Sequence, residues 1–335
     1  MSRITRRETL SLLAGSAATL ASAQVPVTAS GANKIVPFER GDVVTGCTLL
    51  NDKSDDHRGQ GRLLHYDGDL KLKNIILLND TTHIVQGTRF APDGTLWAFD
   101  AFAYKIVRFA RNGKRLPNFP APPKSFAHVN FMPDGSLLMG ENFVGDKSRL
   151  PLHTTLPFMP GTRRFGDGHL FALSRKGKVL REYATRTHGG IGGFQGLTAS
   201  TLLAGGTRIA YTSESGPVIF HYDLVNGKQL PDLVSFPDNS GHFYFDLALD
   251  KANRLLVVAG AKLEAFDLNG RPVQTYPLAS FGWASMSEPI TSTHVFATNF
   301  FSGEIAKLDL ASGKVMASAQ TGINKSLSGA AEFAG

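Results

Sequence analysis

Apolar residues fall along this chain in short runs of four to six, rich in Val, Ile, Leu, Phe and Tyr. Each run is closed by a polar turn built around glycine. Residues 95–100 (Thr-Leu-Trp-Ala-Phe-Asp) and 105–109 (Lys-Ile-Val-Arg-Phe) are examples, and no helical period follows residue 23. Runs of this length, β-branched and aromatic, predict strands. Six turns repeat the pattern, at Gly68, Gly113, Gly177, Gly227, Gly270 and Gly313, with intervals of 45, 64, 50, 43 and 43 residues. Asn-Gly and Lys-Gly turns are hairpin chemistry, because glycine accepts positive φ.

A period near forty-odd residues with several strands per period predicts an all-β, six-bladed β-propeller over residues 43–335. The first strand of a blade is marked by a following Pro-Asp-Gly turn at 92–94 and again at 133–135. Later blades begin near Gln195, Asp246 and Ser287. The C-terminal residues 328–333 align with 86–90, a first strand with nothing after it. Residues 43–51 read as a second strand with nothing before it. Pairing them predicts a ring closed by a C-terminal strand joining the N-terminal blade, which removes an open sheet edge.

Residues 1–23 have the form of an export signal. Arg6-Arg7 precedes a weakly apolar run from Leu10 to Leu20, and Ala21-Ser22-Ala23 fits a cleavage site. The arginine pair resembles the twin-arginine type, which implies that export machinery as a partner and a periplasmic or secreted destination. The apolar run from Leu10 to Leu20 is too short and too rich in small residues to be a membrane anchor, and residues 24–42 form a lead-in. Removing the signal takes the net charge from +7 to +5. With no basic cluster interleaved with aromatics, nucleic acid is excluded as a partner, and a monomer is expected. Cys47 is the single cysteine, so intramolecular disulfides and CxxC sites are excluded, and it reads as a buried strand residue.

Candidate chemistry gathers at the starts of innermost strands and the ends of second strands, on the face opposite the Pro-Asp-Gly turns. His83 lies four residues before Gly87, and His242 four before Asp246, which aligns with Gly87; His128 aligns with Gly87 in a third blade. Together with Glu141 and Asn299 these predict a divalent metal site at the channel mouth. Oxygen ligands favour calcium and a histidine cluster favours zinc. Asp246, His242 and His128 are the catalytic candidates. Asp100, Asn142, His188, Glu214 and Trp283 are candidates for binding a small-molecule ligand. Arg163 and Arg164 join them from the insertion over 144–168, which lengthens one blade.

The Pro-Asp-Gly-Thr-Leu-Trp unit at 92–97, followed by Ile-Val-Arg-Phe and Asn-Gly-Lys, resembles the NHL-type propellers. It is also similar to the gluconolactonase and senescence-marker-protein superfamily. That resemblance implies a metal-dependent hydrolase or lactonase acting on a small ester or lactone. Asp246 stands at that family's aspartate position, and Ser328-Gly329-Ala330 stands where the family carries a glutamate. The alternative is a non-catalytic periplasmic propeller that binds a ligand or a protein.

Overall fold

The structure, a computed structural model, describes residues 33–51, 59–81, 87–144 and 166–335. Among these residues, six antiparallel sheets form the six blades. Blade 1 takes its innermost strand, Leu327–Glu332, from the C-terminal end and adds Val43–Leu50, Gly59–Tyr66 and Leu72–Leu78. Blade 2 is Gly87–Phe90, Leu96–Asp100, Lys105–Phe109 and Arg115–Leu116. Blade 3 is Phe126–Phe131, Leu137–Glu141, Leu170–Leu173 and Val179–Tyr183. Blade 4 runs Ala199–Leu203, Arg208–Thr212, Val218–Asp223 and Lys228–Gln229. Blade 5 is Asp246–Leu249, Leu255–Val258, Lys262–Phe266 and Pro272–Pro277. Blade 6 is Trp283–Met286, His294–Asn299, Glu304–Asp309 and Val315–Gln320.

The composite first blade is therefore present. Val43 pairs with Glu332 and Cys47 with Leu327. Thr45 Oγ1 donates to the Gly329 carbonyl oxygen at 2.6 Å. Cys47 is buried on its strand, as expected. Three details differ from expectation. Blade 4 carries an extra short strand, Val234–Ser235, paired with Val218–Asp223. The innermost strand of blade 6 is Trp283–Met286, so Ser287–Ile290 lies beyond its end rather than at its start. In the first turn the positive φ falls on Leu70, not Gly68, because Asp67 Oδ1 accepts the amides of Asp69 and Lys71 and curls the loop one residue later.

Burial follows distance from the axis. The second strands Leu96–Asp100 and Leu255–Val258 are buried at every position, whereas the outer strand Val179–Tyr183 is exposed at all but one. Strands covered on both faces are largely apolar, the terminal Asp100 being an exception, and the outer ones are more polar. Apolar layers fill the spaces between blades; between blades 5 and 6, Tyr276, Trp283, Met286 and Leu308 pack together. Close approach around the axis requires Gly87, since a Cβ there would stand 1.7 Å from the Ala127 carbonyl oxygen. Among the described residues no helix is long and apolar enough to cross a membrane.

Candidate functional site

A cavity of about 610 Å³ occupies the axis. All six innermost strands contribute to its wall. It runs from the level of Asp246 to a rim that includes Pro92, Gly94, Lys251 and Asn253. That rim is the face of the tight turns. The site was expected on the opposite face; among the described residues the cavity reaches Gly94, and several of the loops expected at the other mouth lie outside them.

Side-chain alternation decides what faces the axis. Gly87 and Arg89, two residues apart, share one face of their strand; Asn130 holds the register position of Arg89 in blade 3, and His128 precedes it by two residues at a register shift. Arg89 is 14% exposed and its Nη2 stands 2.8 Å from Glu288 Oε2. Its charge reaches both His128 and Asp246, which come from blades 3 and 5.

Asp246 is the most perturbed acid here. Burial pushes its carboxyl up to about 6, against bonds from two backbone amides and the charge of Arg89. The Leu247 amide donates to Oδ1 at 2.8 Å and the Met286 amide to Oδ2 at 2.9 Å, so the carboxylate is fixed across blades 5 and 6. A desolvated carboxyl in a cavity wall is a functional-site signal with a physical cause.

His128 also lines the cavity, but its ring is engaged. Asn130 Nδ2 lies 3.2 Å from His128 Nε2 and donates to Ser200 Oγ at 2.7 Å. A further bond joins the ring to the Ser200 backbone. Burial, with Arg89 adding to it, holds the imidazole well below its usual pKa, so it is neutral. His128 therefore acts as a spoke between blades 3 and 4, and the expectation of a catalytic base at this position is corrected.

The other candidates do not join the cavity wall. His242 stacks on Phe236 with centroids 3.7 Å apart, its Nδ1 3.1 Å from Ser240 Oγ. Glu141 is buried against Lys124 Nζ at 2.9 Å and against Gly166, where a Cβ would stand 2.0 Å from its oxygens. Asn299 holds its own loop: Nδ2 donates to Ser280 Oγ and the Phe281 carbonyl oxygen, and Oδ1 accepts the Ser302 amide. Asp100 Oδ1 caps the Ala103 amide at 3.0 Å, and Asn142 is buried just past the second strand of blade 3. His188 pairs with Asp238 at 2.8 Å. Glu214 sits in a loop whose amide donates to Thr198 Oγ1. Trp283 is buried between blades 5 and 6. His83, Arg163 and Arg164 lie outside the described residues, as does most of the insertion.

Of the expected metal set, His128 and Asp246 share the cavity, His242, Glu141 and Asn299 lie away from it, and His83 is outside the described residues. Among the described residues, no group of three or more His, Cys, Asp or Glu side chains is placed to hold a metal ion. The cavity wall does not fit one either, because both Asp246 oxygens already accept backbone amides, His128 Nε2 faces Asn130, and Arg89 would repel a cation. Sequence reasoning missed Arg89, Asn130, Ser200 and Glu288. The signal for the first two was the alternation itself, counted two residues on from Gly87 and His128.

No protein-family model matches the sequence, and no curated protein matches it. Solved structures do. A gluconolactonase from Xanthomonas campestris superposes with a TM-score of 0.54 at 15% identity, over 73% of this chain and 76% of that one. A catalytically inactive virginiamycin B lyase from Staphylococcus aureus, solved with quinupristin, gives 0.51 at 15%, over 84% and 86%. A chain of a nidogen/laminin complex gives 0.59 at 11%, over 88% and 99%. At these identities the likeness is one of fold: a six-bladed β-propeller whose structural neighbours include a lactonase and a lyase.

Proposed function

We propose that the central channel is the active site of a small-molecule enzyme acting on an ester or lactone, with Asp246 as general base. The observation that carries this is the Asp246 carboxyl, raised to about 6 in the wall of the axial cavity. At neutral pH such a group is mostly ionised and more basic than a surface carboxylate, which suits it to proton transfer. It takes a proton from a water molecule as that water attacks the carbonyl carbon. It returns the proton to the departing alkoxide as the C–O bond breaks, leaving a carboxylic acid and an alcohol. The enzyme names among the structural neighbours support chemistry on this scaffold, though fold alone does not assign it.

The test is hydrolysis of a panel of lactones and alkyl esters. Asp246→Asn should lower kcat/KM about 10²–10⁴-fold, and the wild-type value should rise with pH through an apparent pKa near 6. Unchanged turnover in the variant would remove Asp246 from the mechanism. A second reading is a non-catalytic propeller that binds a ligand or protein. It is favoured by the phenylalanines of blades 5 and 6, where Phe281 and Phe301 are 50% and 47% exposed and stack on each other. We also propose that residues 1–23 direct the folded protein through the twin-arginine route to the periplasm or beyond.

A further inference from the structure

The channel has a cation that the proton-transfer step does not use. Arg89 is held inside the cavity wall, and its only ion-pair contact among the described residues is Glu288. The contact involves one nitrogen, Nη2, and a carboxylate that is 51% exposed. The guanidinium has five N–H donors in a planar fork. The others find no acceptor among the described residues, and Arg89 lines the cavity. Buried arginines are ordinarily met by a fork-to-fork carboxylate, because a guanidinium taken from water loses its hydration. Here that geometry is left open on the cavity side.

Asp246 shares the cavity and its charge couples to Arg89, but both its oxygens accept backbone amides and it does not close the fork. His128 is neutral, so it adds no competing positive charge, and Asn130 and Ser200 satisfy each other beside it. Nearer the rim the wall turns apolar, with Phe131, Leu202, Leu249 and Ile290. A cavity of about 610 Å³ lies within the ~300–1,000 Å³ typical of small-ligand sites.

We propose that the channel takes a small organic carboxylate, whose carboxylate group meets the open fork of Arg89 by displacing Glu288, while its apolar part lies along the rim. This rests on the channel being the ligand site described above, and it names the class of substrate: an ester or lactone that also bears a carboxylate. Glu288 is then an internal substitute for the ligand, holding Arg89 in place while the channel is empty.

The experiment is calorimetric titration of the full chain with hexanoate, and with hexanamide as the uncharged match. Hexanoate should bind at least about tenfold more tightly than hexanamide, the margin expected of a charge-assisted pair. Arg89→Met should abolish that margin. Glu288→Gln removes the competing carboxylate from a half-exposed position, so it should fold normally and bind hexanoate about tenfold more tightly than wild type. Equal binding of hexanoate and hexanamide, or a Glu288→Gln variant that binds hexanoate no better than wild type, would overturn the proposal. Turnover that depends on Asp246 together with no preference for hexanoate would sink the carboxylate anchor alone. Hexanoate binding through Arg89 without any Asp246-dependent turnover would keep the anchor and remove the enzyme.

Discussion

Replacing Asp246 by Asn isolates the energetic cost of keeping a carboxyl in the channel wall. In the native protein the group holds its proton up to about pH 6, while in the unfolded chain it releases it near 3.8. Between those values the native state binds more protons than the unfolded state, so stability falls as pH rises. The two pKa values differ by about two units, worth about 3 kcal/mol at 1.36 kcal/mol per unit, an upper figure because water in the channel screens part of it. Below about pH 4 both states are protonated and the cost is absent; above about pH 6 it is fully felt. Asparagine keeps the shape and does not titrate, but its Nδ2 replaces one of the two oxygens that accept backbone amides, a cost that does not vary with pH. Urea unfolding followed by the fluorescence of Trp97 and Trp283 should therefore find the stability difference between the two proteins moving in the Asn variant's favour, by up to about 3 kcal/mol, between pH 4 and pH 7.5. Two stability curves that run parallel from pH 4 to pH 7.5 would refute the reasoning, because no native-state displacement of this carboxyl would then exist.

Deleting residues 326–335 should strip the inner strand from blade 1; with Leu327 and Phe333 fully buried, each worth about 1.5–3 kcal/mol, thermal melting should show a large loss of stability or aggregation. His242→Ala should cost only the stacking on Phe236, about 1 kcal/mol, and leave ligand binding in the channel unchanged; an effect on binding would return His242 to the site. Changing Arg6 and Arg7 to Lys should leave folded precursor in the cytoplasm, and fractionation showing normal export would assign the protein to another route.

The ring could be read from the chain because each blade repeats the same local chemistry. A strand covered on both faces must be largely apolar, and the turn after it must offer a residue that tolerates positive φ. The composite blade was legible for the same reason, as residues 328–333 repeat the pattern of 86–90. The site was legible only where the repeat carried register. Asp246 and His128 sit at equivalent places in their strands, and both line the channel. His242 precedes its strand, in a loop that the ladder does not hold, and it turned outward onto Phe236. Glu141 and Asn299 end second strands, one layer farther from the axis, where a polar side chain is met by other parts of the fold. Glu288 was out of reach because blade 6 begins four residues earlier than its turn pattern suggested.

The bond between Thr45 and Gly329 spans 284 residues of sequence, and it lies beside the wall of the channel. Blades 2 to 6 can each form from neighbouring segments as the chain emerges, but blade 1 has no inner strand until the last of them is done. The cavity is therefore a property of the finished circle and not of any arc of it. A chain interrupted even a few residues before Leu327 would have five good blades, an open seam and no channel to work with. Folding to closure and forming the axial cavity are thus one event, so a molecule with a sealed seam is also one whose channel is complete.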